Sequence, residues 1–104
     1  MSKKANPIDV KIEIANKKDW KKTNNLMIKV SGLFRNSGWR VENVSHDILD
    51  DVIQIKINSK HLGGMSLMVL SPFEITEEIS IEEPKDNYKI QVIFDGEETT
   101  TKIL

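Results

Sequence analysis

Cysteine is missing from this chain of 104 residues. Its absence excludes disulfides, thiolate metal sites and cysteine nucleophiles, and it is compatible with a reducing cytosol. Long apolar runs are missing as well. No stretch of signal-peptide length follows the opening Met-Ser-Lys-Lys-Ala-Asn-Pro, and charges interrupt every apolar stretch well short of a membrane span. The expectation is a soluble cytoplasmic protein with no membrane partner. A basic excess is missing too: 15 Lys and Arg face 16 Asp and Glu, for a net charge of −1. A dedicated nucleic-acid binder carries such an excess, so nucleic acid is not the expected partner. Internal repeats, low-complexity tracts and any segment of convincing helical period are also absent.

What is present is strand patterning. A chain of this size buries roughly 60 to 70% of its unfolded surface, so one core without staples is feasible. A single domain over 1–104 is expected, with 1–7 as a flexible tail. Ile8, Val10, Ile12 and Ile14 alternate with charged residues, as a half-buried strand does. Ala15 to Asn25 is polar and turn-rich and reads as a loop. Leu26, Ile28 and Val30 resume the alternation until Gly32 interrupts it. Asn36, Ser37 and Gly38 make a turn. Trp39, Val41 and Val44 predict a third strand with Trp39 in the core, and the change of phase between Val41 and Val44 predicts a bulge.

Ile53, Ile55 and Ile57 are the cleanest alternation in the chain. Met65 to Leu70 is apolar on both parities and predicts a strand covered on both sides. Ser71-Pro72 is expected to end that strand, because proline cannot donate to a ladder. Phe73, Ile75, Ile79 and Ile81 follow, with a phase shift expected between Ile75 and Ile79. Pro84 to Asn87 reads as a turn, and Tyr88, Ile90, Val92 and Phe94 alternate again. Asp95-Gly96 is a strong type I′ hairpin signal, and the threonine-rich run from Glu98 to Ile103 reads as the last strand. Seven to nine short strands with regular turn signals predict an all-β protein, an immunoglobulin-like antiparallel β-sandwich.

The segment Gly32 … Asn36-Ser37-Gly38-Trp39-Arg40-Val41, the strand VIQIKIN, Gly63-Gly64, Ser-Pro-Phe-Glu and the closing Tyr-x-Ile-x-Val-x-Phe-Asp-Gly together resemble a group of small prokaryotic Ig-like β-sandwich domains. The resemblance spans about Val30 to Phe94. It implies a fold and no particular activity. Two departures stand out: Arg35-Asn36 where proline often precedes asparagine, and no cysteines near the turns. Asn36-Ser37-Gly38-Trp39 is also loosely similar to the first loop of the chagasin-like inhibitors of cysteine proteases, with Lys60 to Gly64 standing for their glycine-rich loop. Their Arg-Pro-Trp motif has no counterpart.

Charge is unevenly spread. From residue 1 to 29, eight lysines face three acids, and from 74 to 98, nine acids face Lys85 and Lys89. Two neighbouring segments of opposite sign are one reading, and one basic with one acidic surface is the other. Pro72-Phe73-Glu74 reads as a corner whose Glu74 accepts backbone N–H bonds, and Gly63-Gly64 as a tight connection. His46 lies near Asp47, Asp50 and Asp51, but without the regular carboxylate offsets and turn glycine of a calcium loop. Ser31, Ser37, Ser45, Ser59, Ser66, Ser71 and Ser80 are scattered, with no elbow motif around any of them. No catalytic residue, metal ligand or cofactor is assigned.

The expected function is a non-enzymatic binding module whose partner is another protein. The candidate surface is Arg35, Asn36, Ser37, Gly38 and Trp39 together with His61, Gly63 and Gly64. Two alternatives are inhibition of a protease through the same loops, and weak binding of nucleic acid or an anionic surface by Lys17, Lys18, Trp20, Lys21 and Lys22, with the indole stacking on a base.

Overall fold

The computed structural model describes residues 5–64, 67–84 and 87–104. Seven strands form two packed sheets: β1 (Ile8–Ile14), β2 (Asn25–Phe34), β3 (Trp39–Leu49), β4 (Val52–His61), β5 (Ser71–Ser80), β6 (Lys89–Phe94) and β7 (Glu97–Ile103), with one short helix, α1 (Trp20–Thr23). The first sheet runs β1-β2-β5 and the second β3-β4-β6-β7. The molecule is an all-β sandwich.

The core follows from period-two patterning. Leu26, Ile28 and Val30 on β2 face Ile53, Ile55 and Ile57 on β4 and Ile90 and Val92 on β6, all at 0% exposure. Among the described residues no polar or charged side chain is buried. Gly32 does not interrupt β2, which runs on through it in register with β5. A Cβ there would lie 2.9 Å from Cζ of Phe73, its cross-strand partner. The glycine therefore makes room for an aromatic ring, and Phe34, Phe73 and Phe94 stack together beside it.

Several expectations are overturned. β4 and β6 are parallel, so the sandwich is not antiparallel throughout. The chain leaves β4, crosses to β5 in the other sheet and returns to β6. In the immunoglobulin arrangement the third strand lies beside the sixth. Here β4 stands between them. Pro72 does not end a strand but sits near the start of one. That is tolerated because β5 is an edge strand, pairing only with β2, and an edge proline can turn its missing donor away from the ladder. Phe73, Ile75, Glu77 and Ile79 share one face without a phase shift. Glu77 takes the inward position where an apolar residue was sought, and meets His46 Nδ1 of β3 at 2.7 Å. β3 runs on to Leu49, so His46 and Asp47 are strand residues. Residues 67–70 form no strand and are exposed; Met65 and Ser66 lie outside the described residues.

Other expectations hold. The β3–β4 register shifts between Val41 and Asn43, where the bulge was expected. Asp95 and Gly96 have φ of 50° and 84°, as a type I′ turn requires. Trp39 is buried. Ahead of β1, Ala5 is buried, and Arg35 Nε donates to the Asn6 carbonyl at 2.7 Å. No helix among the described residues is long and apolar enough to cross a membrane.

Candidate functional site

Arg35–Trp39 and His61–Gly64 come together at one end of the sandwich. Asn36 Oδ1 accepts the Gly38 N–H at 2.9 Å, the Asx geometry that closes a turn. The Gly38 carbonyl accepts the Leu62 N–H at 2.9 Å, joining the β2–β3 turn to the β4–β5 connection. Trp39 lies opposite His61 in the ladder, and their rings meet edge to face at 5.0 Å. His61 Nδ1 in turn accepts the Gly63 N–H at 3.0 Å. Gly63 and Gly64 have φ of 80° and 69°, a region that favours glycine. Trp39 and Gly38 are buried, so the displayed part of this expected surface is Arg35, Gly63 and Gly64.

The β4–β5 connection is also clamped further on. Ser37 N–H donates to the Leu67 carbonyl at 3.0 Å, and Leu67 N–H donates back to Ser37 Oγ at 2.8 Å. The segment that follows turns its side chains outward. Leu62, Leu67, Met68, Val69 and Leu70 are 60%, 69%, 87%, 51% and 55% exposed. Leu62 falls within the expected His61–Gly64 surface, but the sequence reading missed Leu67, Met68, Val69 and Leu70 as part of it. Their signal was present, since a run apolar on both parities fits a surface loop as well as a covered strand.

Arg40 and Lys60 were missed too. They face each other directly across the β3–β4 ladder and both are exposed. Like charges directly opposite one another destabilise a sheet. The Arg40 guanidinium donates to the carbonyls of Ser37 and Trp39 at 2.8 and 2.7 Å. Neither cation forms an ion pair with a carboxylate among the described residues. The acids of these two strands are Glu42, two residues along β3 from Arg40, and Asp47. Asp47 is held by Lys56 further down the sheet.

Beside this end, a shallow recess of about 420 Å³ opens between edge strands β3 and β5, lined by Trp39, Val41, Pro72, Phe73 and Ile75 among others. Its floor is apolar, and Ser37, Arg40, Ser71 and Glu74 also line it.

The lysine loop lies at the opposite end. Trp20 is 4% exposed and meets Tyr88 edge to face at 6.5 Å, so its indole closes the core and is not offered for stacking. Lys17, Lys18, Lys21 and Lys22 remain outside. The Asn16 side chain holds this loop in place, donating to the Asn25 carbonyl and accepting the Met27 N–H.

The remaining polar candidates have structural partners. The acids near His46 do not converge on it: His46 turns inward to Glu77, while Asp47 turns outward to Lys56 at 2.8 Å. Glu74 does not cap backbone amides as expected but pairs with Lys29 at 3.3 Å. That contact joins the basic and acidic segments of the chain. Asp95 accepts the Ser59 N–H at 2.7 Å and the Ser59 hydroxyl, tying the last hairpin to β4.

No family model matches this chain, and no curated protein and no solved structure matches it.

Proposed function

We propose that this protein is a non-enzymatic, intracellular interaction domain whose working surface is the end of the sandwich built from the β2–β3 turn and the β4–β5 connection. One observation carries the reading: five described aliphatic side chains of that connection stand in water at half exposure or more, with Leu67 clamped to Ser37 from both sides and the Leu62 N–H held by the Gly38 carbonyl. A monomer has no folding reason to hold them there, and contiguous exposed apolar side chains mark an interaction site. The likeness to small prokaryotic Ig-like domains points the same way, to an accessory module that works through end loops. It is supported by the β1-β2-β5 sheet and the closing β6–β7 hairpin, and opposed by the parallel β4–β6 pair.

Protease inhibition through the same loops has less behind it, because Trp39 is buried rather than displayed. Nucleic-acid binding by the lysine loop is weakened in the same way by the burial of Trp20.

The experiment is capture from native extract with three baits: the wild type, Leu67→Asp with Met68→Asp, and Lys17→Glu with Lys21→Glu. A species retained by the lysine-loop variant and lost by the Leu67/Met68 variant is expected. A species lost only by the lysine-loop variant would move the working surface to the other end.

A further inference from the structure

We infer that the occupant of the β4–β5 connection is the surface of an anionic lipid bilayer. The inference rests on the interaction-surface reading above and adds the partner. Three observations lead to it.

First, the exposed apolar side chains are surplus to the core. Directly behind them Phe34, Trp39, Phe73 and Phe94 are all at 9% exposure or less, so the sandwich is already closed at this end. Second, the strands that lead into the connection are carried outward. β6 pairs with β4 only as far as Ile57, while β4 runs on to His61 against β3 alone. The apolar residues sit beyond that overhang, where they can enter a surface without the sheets colliding with it. Third, the overhang carries Arg40 and Lys60 directly opposite each other, and among the described residues neither forms an ion pair with a carboxylate. A like-charged cross-strand pair costs stability in isolation and is offset by an anion lying across both.

Aliphatic side chains that leave water beside a pair of cations match the acyl boundary and phosphate layer of an acidic membrane. A protein groove would satisfy the apolar residues but gives no reason for the paired cations. The expectation of no membrane partner rested on the lack of a spanning segment. A loop that inserts only its side chains needs none.

The test is co-sedimentation of the full chain with vesicles of phosphatidylglycerol and phosphatidylcholine in equal parts, and with vesicles of phosphatidylcholine alone. The wild type is expected to pellet with the acidic vesicles and to be released by salt. Leu67→Asp with Met68→Asp abolishes pelleting. Lys60→Gln, on an exposed side chain, lowers the partition about fivefold, since one cation near an acidic surface is worth about 1 kcal/mol. Circular dichroism confirms that each variant is folded.

Absence of wild-type pelleting on acidic vesicles overturns the lipid inference, as does pelleting that survives the Leu67/Met68 substitutions or that is equal on both vesicle types. A concentration-dependent dimer, seen by light scattering and dispersed by those substitutions, assigns the face to a second copy of the chain instead. If the vesicles fail while extract capture stays dependent on Leu67 and Met68, the lipid falls and the interaction surface stands. If both fail, both fall.

Discussion

The two ends of this sandwich have similar parts and opposite constructions. Each has a tryptophan and cations on its loops. At the α1 end Trp20 folds back over the core, Tyr88 meets it edge to face, and the loop leaves only lysines and small or polar residues in water, although Leu49 of the neighbouring β3–β4 turn and Ile103 of β7 are also exposed there. At the β4–β5 end Trp39 is also buried, yet five aliphatic side chains remain outside. The difference lies in what each loop has left once the core is closed. The α1 loop has one large apolar group and uses it as a plug. The described part of the β4–β5 connection has five beyond those the core takes. Composition made the lysine loop an alternative binding surface; the packing favours the other end.

The largest effects should come from the two tryptophans. Trp20→Ala and Trp39→Ala are each expected to cost about 3 to 5 kcal/mol in denaturant unfolding, the usual range for removing a buried aromatic. A loss near zero for Trp20 would show that the α1 end is open and remove the contrast between the ends. A loss near zero for Trp39 would return its indole to the displayed surface.

Gly32→Ala comes next. The new Cβ would stand 2.9 Å from a carbon of the Phe73 ring and 3.2 Å from the Ile8 carbonyl. Overpacking of this kind costs about 1 to 3 kcal/mol. It probes whether the phenylalanine cluster beneath the β4–β5 connection is full, as the surplus argument requires. A neutral result would mean that the core at that end has room for more.

The contrast is sharpened by a substitution expected to do nothing to stability. Leu67→Ser with Met68→Ser should stay within about 0.5 kcal/mol of wild type, because exposed side chains away from caps, pockets and strain rarely matter more. Calorimetry reads this directly. A loss of several kcal/mol would make these residues part of the core and end their claim to a partner.

How much of this was legible beforehand depends on the range of the interaction involved. Asp95-Gly96 and the bulge after Val41 are local, and the residue types there dictate backbone geometry. Ile53, Ile55 and Ile57 declare a strand by alternation. The parallel pairing of β4 with β6 is non-local, and nothing in either strand encodes its partner. Glu77 hid a straight strand, because a carboxylate at an inward position looks like a break until His46 is seen across from it. The same limit applied to Leu67–Leu70. An apolar run states that it avoids water and leaves open whether this chain or another surface does the covering.

The smallest effect concerns a group that belongs to neither end. The Lys56 ammonium beside Asp47 donates a hydrogen bond and holds its carboxyl below the usual value of 3.8. A depressed folded-state pKa adds stability above the unfolded value, and that stability is lost as pH falls through the folded one. The pair's contribution is therefore present above about pH 4 and lost in acid, and an exposed pair contributes little even where it is intact. Lys56→Met should raise the Asp47 titration toward 3.8, followed by the carboxyl resonance in NMR, and leave neutral-pH stability unchanged. The same variant is the control for the lipid inference. Lys56 and Lys60 lie on the same face of β4, four residues apart, but Lys56 has a carboxylate partner and sits away from the overhang. Loss of charge at Lys56 should leave vesicle binding intact, whereas loss at Lys60 should weaken it. Equal weakening by both would mean that the membrane senses only the overall charge of the sheet, and the distinction between the ends would lose its electrostatic half.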